Sequence, residues 1–274
     1  MENHSNKMTP NEFVFTIDAE RKKESDRFLS ESILVQQISG QLTLETNIEK
    51  IVMEPGDIFL VRKHQFVKVT KTPLGGEYQK AVLLTFKEEI LRKYALENQL
   101  AHIEKYIGPS NIPIPENSFL KGYFSSLIPY TQNRKNINDL LIHMKVKEAV
   151  QLLLLKKPGL KNFLFDFSEP HKIDLEKFML SNYKFNVPIE SFAKLTGRSL
   201  ATFKRDFRKS FGIPPRRWLQ NRRLTEAHYL IEKYNMNPTS IYLDLGFESI
   251  SHFSYTFKKQ FGYSPSELAN QDKK

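Results

Sequence analysis

The clearest structural pattern in the chain is found in residues 189–212, IESFAKLTGRSLATFKRDFRKSFG. It predicts a short helix, a turn at Gly197 and a second helix that begins after Ser199, a residue type favoured at helix N-termini. The second helix is apolar on one face, which carries Leu200, Phe203, Phe207 and Phe211. Its opposite face is polar and basic and carries Ala201, Thr202, Lys204, Arg205, Arg208 and Lys209. An aromatic face opposite a basic face is typical of a helix-turn-helix whose second helix enters the major groove of DNA.

The same pattern returns about fifty residues later in SIYLDLGFESISHFSYTFKKQFG, residues 240–262. A short helix, a turn containing Gly246 and a second helix opening near Ser249 are predicted again. The spacing of the first aromatic face is repeated by Phe253, Phe257 and Phe261, with Lys258 and Lys259 standing where Arg208 and Lys209 stand. Residues 218–234 predict one helix between the copies. The repeat therefore predicts an all-α domain of two helix-turn-helix units joined by a linker helix.

The positive charge is concentrated in the same part of the chain. The 274 residues carry a formal net charge of +10, and residues 171–274 hold 18 basic and 10 acidic side chains, whereas residues 1–170 hold 23 and 21. The excess peaks between Arg198 and Arg223 and is mostly arginine, whose forked donors suit phosphates and guanine edges. This asymmetry predicts two domains, of which the C-terminal one binds nucleic acid.

Composition excludes several classes of protein. The chain has no cysteine, which excludes a disulfide scaffold, an iron–sulfur protein and thiolate zinc sites. A hydrophobic fraction of 40% is too high for a disordered chain. We find no run long and apolar enough for a membrane helix and no secretory signal, so we expect a cytoplasmic protein with no membrane partner.

The N-terminal half predicts strands between residues 13 and 86. Residues 33–46 form two runs around Ser39–Gly40, residues 51–61 form two around Pro55–Asp57, and residues 66–72 and 78–86 continue the pattern. Short strands with regular turns predict a small barrel or jelly roll. Helices are expected over residues 88–107, 118–131 and 138–156. The predicted fold class is therefore α+β, with an N-terminal barrel and helices ahead of the all-α domain.

The segment EPGDIFLV, residues 54–61, is similar to the turn of the cupin-like barrels found at the N-terminus of many bacterial regulators. Enzymes with that barrel hold a metal with a His-x-His pair, but the seven histidines here show no close pairing and His64 stands alone. We therefore predict no metal, no cofactor and no enzyme activity. A barrel can enclose a small ligand, and the candidate inward positions, which also suit simple core filling, are Phe15, Leu34, Gln36, Phe59 and Phe66.

One helical stripe in the N-terminal half has two interpretations. It comprises Leu141, Met144, Glu148, Leu152 and Leu155. Residues at this spacing lie on one helix face, and such a face is either core or a subunit interface. The predicted domains are a cupin-like sensing and dimerisation domain over residues 1–160, a linker over 161–172 and the double helix-turn-helix over 173–269.

Residues 171–269 resemble the DNA-binding domain of the AraC/XylS family of bacterial transcription regulators. The first unit and the linker helix match at Ala193, Gly197, Ser199, Phe203, Phe207, Gly212, Arg223, Leu224 and Ala227. The second unit matches at Gly246, Phe247, Phe253, Ser254, Phe257, Lys258, Lys259, Gly262 and Pro265. The resemblance implies that the second helix of each unit enters one of two successive major grooves on one face of DNA.

The resemblance also implies which residues touch DNA. The base-reading positions fall on Ala201, Lys204 and Arg205 in the first unit and on Ile250, Ser251, Ser254 and Tyr255 in the second. Arg205 suits a fork onto guanine, and Ala201 suits contact with a thymine methyl. The set is completed by Ser199, Thr202, Arg208, Lys209, Lys258 and Lys259, of which the four basic residues suit phosphates.

Several positions depart from the family pattern or have two interpretations. Tyr255 replaces a basic residue, so base reading by the second unit is expected to be weaker or more apolar. Tyr242 replaces a small residue, so the packing between the two helices of that unit is expected to differ. Leu268–Ala269 replace an aromatic–arginine pair, and all these changes bear on the specificity of the second unit and not on its fold. Arg216 and Arg217 suit either the DNA backbone or solvent. Arg223 suits a structural pairing with Glu226 or Glu232.

The family implies a sequence-specific DNA-binding transcription regulator, with activation through RNA polymerase as the favoured mode. Its partners would be double-stranded DNA, RNA polymerase and an unidentified small-molecule or protein effector, and a homodimer is compatible with the pattern. Two alternatives remain at this point. A cupin-type enzyme with a DNA-binding tail would hold stoichiometric metal, and a non-specific architectural protein would bind all DNA sequences alike.

Overall fold

The computed structural model describes residues 14–100, 103–132 and 138–271 and divides them into two compact units. One unit comprises Leu29–Glu169 with the described residues before Asp26, and the other comprises Asp26–Phe28 with the chain from Pro170 onward. The first unit holds antiparallel sheets and helices, and the second consists of helices apart from that three-residue segment. The predicted α+β class is thereby confirmed.

The strands lie in two sheets. They are β1 (Val14–Ala19), β2 (Lys23–Leu29), β3 (Ser32–Ser39), β4 (Gln41–Glu45), β5 (Lys50–Met53), β6 (Ile58–Val61), β7 (Gln65–Thr72), β8 (Gln79–Phe86) and β9 (Asn111–Pro113). One sheet has the order β1-β8-β3-β6-β9 and the other β2-β7-β4-β5. An apolar cluster contains residues of both sheets, among them Ile33, Val35, Leu42, Leu44, Met53, Val61, Val67, Ala81 and Leu83. The space between the sheets is therefore filled by side chains, as in a jelly roll.

The structure corrects part of the predicted inward set. In β3, Val35 belongs to the cluster between the sheets, whereas Leu34 packs against the helices, so the inward assignment of Leu34 is wrong. Gln36 shares the face of Leu34 because side chains alternate along a strand. Six successive residues of β3 are buried, so its sequence has no apolar–polar alternation from which the inward face could be identified.

The other inward candidates divide. Phe59 packs against the cluster between the sheets, in agreement with the prediction. Phe66 is buried, but its neighbour Val67 belongs to that cluster, so alternation directs Phe66 to the opposite face. The side chain of Phe15 lies outside the described side chains.

Four helices accompany these sheets, and residues of each share a second apolar cluster with β3, β6 and β8. They are α1 (Glu88–Glu97), α2 (Ser118–Gln132), α3 (Asp139–Lys156) and α4 (Leu160–Leu164). Helix α1 is shorter than the predicted helix over residues 88–107. It ends because Gln99 adopts a left-handed conformation with φ of +48° and the Asn98 amide donates to the carbonyl of Tyr94.

Helix α4 shows that the linker between the domains begins later than predicted. Leu160, Phe163 and Phe165 are almost fully buried in the helix-facing cluster of the first unit. The first part of the predicted 161–172 linker is therefore core, and the two units divide between Glu169 and Pro170. Pro158 and Gly159 form the turn between α3 and α4.

Most of the stripe on α3 faces away from the core. Leu155 is 76% exposed and Met144 is 58% exposed, whereas Val146, Val150 and Leu153 on the other face are buried. Leu141 is also exposed. The structure therefore excludes core filling for Leu141, Met144 and Leu155, whereas Leu152 is half-buried and packs against the helix-facing core cluster.

The second unit is a bundle of short helices around one long one. Its helices are α5 (Leu175–Asn182), α6 (Ile189–Leu195), α7 (Leu200–Phe211), α8 (Pro215–Tyr234), α9 (Pro238–Ile241), α10 (Ile250–Phe261) and α11 (Pro265–Gln271). We call residues 174–217, which include the first turn of α8, the first reader and residues 238–271 the second reader. Helix α8 joins them and begins three residues before the predicted start, because Pro215 is favoured in the first turn. None of the described helices is both long and apolar enough to cross a membrane.

We predict that Phe165→Ala lowers the free energy of unfolding of the first unit by about 3–5 kcal/mol, because it removes a buried aromatic ring. Hydrogen–deuterium exchange of the slowest amides in α3 measures this change. The exposed Glu169→Ala is the control and should change it by less than about 0.5 kcal/mol. Equal effects of the two substitutions would mean that residues 160–165 are not part of the core.

Candidate nucleic-acid interface

The orientation of α7 is set by its cap and its aromatic face. The Ser199 hydroxyl oxygen accepts the backbone N–H of Thr202, which confirms the predicted N-cap. Phe203 and Phe207 are completely buried, and the Phe207 ring lies 4.4 Å from Phe211 between centroids. With the aromatic face fixed inward, the opposite face of α7 must point to solvent.

The structure places the predicted base-reading residues of α7 on that outward face. Ala201, Lys204 and Arg205 are exposed, and the Arg205 side chain retains 77% of its accessible surface. Arg208 and Lys209 are exposed as well. Ser199 is exposed at the start of the helix, while Thr202 is half-buried beside it. The chain thus presents a continuous polar helix face about three turns long.

A groove of about 830 Å³ runs along this face. Its lining residues are Ile189, Glu190, Lys204, Arg205, Arg208, Lys209, Pro214, Pro215 and Arg216. Five of these side chains are basic and one is acidic, and a groove lined by one sign of charge concentrates the potential. This arrangement suits a polyanion such as the sugar–phosphate backbone.

Arg198 has a different role from its neighbours in the basic stretch. Its side chain is only 7% exposed, and its Nη1 donates to the carbonyls of Ile173 at 3.1 Å and Thr196 at 2.7 Å. Its Nε donates to a carboxylate oxygen of Asp206 at 3.2 Å. Because of these bonds Arg198 is a structural residue that stabilises the first reader. The prediction that Arg198 contributes positive charge to the nucleic-acid interface is therefore corrected.

The turn beside Arg198 is equally constrained. Gly197 has a φ of +64°, and a Cβ placed there would lie 2.4 Å from the carbonyl carbon of His171. Only glycine fits, so the chain at residues 171–173 passes directly over the turn. The hydrogen bond from Arg198 lowers the pKa of Asp206, the only acid of α7. Asp206 is a single acidic residue in a basic stretch, and this was the one feature of the sequence that indicated an ion pair with Arg198 inside the domain.

The second reader repeats this geometry. Ser249 accepts the N–H of His252, and Phe253 and Phe257 are completely buried. The predicted DNA-contacting residues divide by exposure. The exposed ones are Ser251, Tyr255, Lys258 and Lys259, and the half-buried ones are Ile250 and Ser254. Ile250 packs against the core of the second reader.

The departures from the family pattern are accommodated within the core. Leu268 is buried at the position equivalent to Trp218. The His228 ring on α8 lies 4.7 Å from the Phe261 ring, and its Nε2 lies 2.6 Å from the hydroxyl oxygen of Tyr263. Tyr242 packs half-buried against the same cluster. The second reader therefore keeps the fold with a different set of aromatic partners.

The two readers differ at the helix that follows each recognition helix. In the second reader Glu267 accepts the N–H of Ser264 and donates its own N–H to the Ser264 hydroxyl oxygen. These bonds lower the pKa of Glu267. The equivalent position in the first reader is Arg217, which is exposed in the first turn of α8. A carboxylate thus stands where the first reader has a guanidinium.

Arg223 connects the two readers, and the predicted pairing with Glu226 or Glu232 is wrong. Its Nε donates to the carbonyl of Tyr183 at 2.8 Å. Its Nη2 donates to the carbonyl of Phe185 and its Nη1 to that of Gly246, both at 2.9 Å. Burial lowers the pKa of Arg223 to about 10, so the guanidinium stays protonated at neutral pH.

The described residues contain no group of three or more His, Asp or Glu side chains placed to hold a metal ion. His64, the lone candidate of the N-terminal domain, has a left-handed backbone with φ of +60°, and its N–H donates to the carbonyl of Leu29.

We predict that Arg198→Met lowers the free energy of unfolding of the first reader by about 1–3 kcal/mol, because it leaves two carbonyls without their donor. Fluorescence of Trp218, the only tryptophan, follows this region in urea, since its ring packs 4.7 Å from Phe211. The exposed Arg205→Met serves as the control and should leave the transition within about 0.5 kcal/mol. An equal loss of unfolding free energy in both variants would contradict the structural role of Arg198.

Comparisons with known proteins agree with this geometry. A model described as a helix-turn-helix domain matches residues 192–271, and one described as an ExsA N-terminal regulatory domain matches residues 32–164. The HTH-type transcriptional regulator ExsA of Pseudomonas aeruginosa is 25% identical over 244 residues, covering 84% of this chain and 82% of that protein. The virulence regulon transcriptional activator VirF of Yersinia enterocolitica is 31% identical over 136 residues, about half of each chain.

Among solved structures, ToxT of Vibrio cholerae is 16% identical, covers 93% of this chain and 97% of that chain, and has a TM-score of 0.41. The assignment to a family rests on the two family models, one of which matches each unit, and on the sequence relatives. Together with the paired helix-turn-helix geometry, they identify this chain as a member of the AraC/XylS family of DNA-binding transcription regulators.

Proposed function

We propose that this chain recognises specific sites on double-stranded DNA through α7 and α10 and activates transcription from those sites. The observation that carries the proposal is the basic groove along the exposed face of α7. Ala201, Lys204 and Arg205 read bases there, and Arg205 provides the fork that pairs with guanine. Arg208 and Lys209 lie near the end of the helix and bind phosphates.

In the second reader the exposed residues Ser251 and Tyr255, with the half-buried Ser254, read bases. Lys258 and Lys259 bind phosphates. Ile250 supports the core with most of its side chain and contributes less to reading, since it packs on the residues that hold α10 in place.

The grip on DNA is asymmetric. The first reader offers five basic side chains in one groove, and Arg217 is exposed nearby. In the second reader the equivalent of Arg217 is Glu267, whose charge partly offsets that of nearby Lys258. Since each phosphate contact adds to the salt-dependent affinity, the first reader supplies most of it.

The N-terminal domain, residues 1–160 with the α4 segment added, is proposed to sense an effector and to dimerise, and the connection to the DNA-binding domain lies within residues 161–172. The space between its sheets is occupied by apolar side chains such as Val35, Leu44 and Met53. A filled interior favours an effector that binds at the surface of this domain, where both a protein and a small molecule have access.

The exposed stripe of α3 is the proposed homodimer surface. Met144 and Leu155 are large apolar side chains with more than half of their surface in water. Exposed apolar residues that recur along one helix face are typical of a subunit interface. Such a face would become buried against the same face of a second copy.

The proposal also includes RNA polymerase as a partner and the cytoplasm as the location of the protein. The relative VirF is named as a transcriptional activator, and an activator must contact the transcription machinery at the promoter. The protein would act in the cytoplasm because bacterial DNA lies there. Such a protein needs neither a metal nor an enzymatic activity of its own.

We predict that Arg205→Ala relaxes the sequence preference at one base pair and costs about 1–3 kcal/mol on the preferred duplex. The duplex comes from selection by the full-length wild type from a random pool. Arg208→Ala should weaken all duplexes alike and reduce the slope of log affinity against log salt by about 1. Fluorescence anisotropy at several salt concentrations measures both effects.

The control for this experiment is Lys233→Ala. Lys233 lies in the last turn of α8, about 27 Å along the helix from its first turn at the groove, so binding should not change. If selection enriches no sequence, the protein is a non-specific DNA binder. If Arg205→Ala binds the selected duplex as the wild type does, Arg205 is not a base reader.

We predict that Met144→Asp converts a dimeric wild type to monomers, because it places a carboxylate in the apolar contact. Sedimentation velocity over a range of protein concentrations measures the state. Leu96→Asp is the matched control, since Leu96 is 80% exposed on α1 outside the stripe. A monomeric wild type, or equal dissociation by both variants, would contradict the α3 interface.

A further inference from the structure

Arg223 occupies the middle of α8, where the first reader, the second reader and the linker helix meet. Its guanidinium reaches back to the carbonyls of Tyr183 and Phe185 in the loop before α6, and forward to the carbonyl of Gly246 in the turn before α10. One side chain therefore bonds the main chain of both readers at once.

The geometry of this contact allows little freedom. A guanidinium is planar and its donors have fixed directions, so three carbonyls bonded to it are fixed relative to one another. Arg223 is half-buried, and this burial lowers the pKa of its guanidinium. Loss of the bonds would leave polar groups without partners, which resists any movement that separates them.

The main chains of the two readers also pack directly against each other. A Cβ at Gly246 would lie 2.4 Å from the carbonyl oxygen of Lys184 and 2.8 Å from Cζ of Arg223. Gly246 has a φ of +81°, which other residues rarely adopt. Its lack of a side chain is what lets the turn of the second reader approach the loop of the first.

We call the contact between the loop before α6 and the turn before α10 the junction. A second hydrogen bond spans this junction nearer the surface. The amide Nδ2 of Asn186 donates to a carboxylate oxygen of Glu248 at 3.0 Å. Both residues line an open groove of about 660 Å³ between the readers, which Arg223 and Gly246 also line. The junction thus has one half-buried set of hydrogen bonds, made by Arg223, and one exposed hydrogen bond.

We propose that Arg223 is a positioning residue that fixes the separation and angle of α7 and α10. It thereby selects the spacing between the two DNA half-sites, here called boxes, that the two recognition helices bind. The inference rests on the proposed binding of DNA by both recognition helices. Adjacent major grooves on one face repeat after about 34 Å, so one extra base pair moves the second box by about 3.4 Å and rotates it by about 35°. A stiff junction rejects that shift, whereas a loosened junction tolerates it.

The first test compares duplexes that differ only in spacing. The full-length wild type selects a two-box duplex from a random pool, and one base pair is then inserted or deleted between the boxes. The wild type should lose about tenfold or more in affinity, since the second reader can no longer bind at the same time. Arg223→Met should bind the selected duplex more weakly and lose less than about threefold on the altered spacings.

Control variants separate positioning from simple loss of stability. Arg222→Met changes the neighbouring arginine, whose guanidinium lies 5.2 Å from the Tyr183 ring, and should keep the wild-type spacing preference. Asn186→Ala removes only the exposed bond to Glu248 and should relax the preference in the same direction by a smaller factor. Asn186→Ala keeps the test valid if Arg223→Met does not fold, as judged by circular dichroism and Trp218 fluorescence.

The second test measures the junction without DNA. Because the chain has no cysteine, Ser210→Cys and Gln260→Cys introduce two unique labelling sites at equivalent exposed positions of α7 and α10. Spin labels there should give a narrow distance distribution in the otherwise wild-type chain and a broader one with Arg223→Met or Asn186→Ala. Arg222→Met should leave it narrow.

These outcomes decide the proposal. An unchanged distance distribution, or an equal loss of affinity on all spacings in every folded variant, would overturn the positioning role. If selection enriches no DNA, the proposed function fails, and the distance measurement still decides whether Arg223 fixes the two helices.

Discussion

The carbonyl groups of Tyr183, Phe185 and Gly246 converge on the guanidinium of Arg223, and this convergence joins segments that are far apart in sequence. A cation with fixed donor directions organises main chain that has no side-chain specificity of its own. Arg198 does the same on a smaller scale within the first reader, where it joins residues 173 and 196. In both places the arginine stabilises the domain by satisfying carbonyls that would otherwise be buried without a donor.

These internal arginines change how the charge of the domain is interpreted. Residues 171–274 have an excess of eight basic side chains, yet two of the arginines in that stretch are bonded within the protein. The charge available to a polyanion is therefore smaller than the composition indicates, and it is more localised. Four of these basic residues lie on the outward face of α7, because its buried aromatic face leaves them no other direction.

The parts of the structure that sequence predicted are those set by local interactions. The caps Ser199 and Ser249, and the phenylalanines at i, i+4 spacing, act within a few residues of one another, so their pattern fixed both recognition helices. The failures involve distant partners or faces. The acceptors of Arg223 are carbonyls, which every residue possesses, so no side-chain pattern could indicate them. Likewise, β3 is apolar on both faces, and only its neighbours determine which face lies between the sheets.

Stiffness at the junction matters most for the weaker reader. The second reader has two exposed lysines at the end of α10 and a carboxylate at Glu267, so in the proposed binding mode it contributes less than the first reader to binding of the DNA backbone. Once the first reader is bound, the second is held close to its groove, and its effective concentration there depends on how closely the junction matches the groove spacing. A flexible junction would spread the second reader over many positions and lose that advantage. In the proposed binding mode, the half-buried guanidinium of Arg223 and the turn at Gly246 therefore compensate by geometry for the lower positive charge of the second reader.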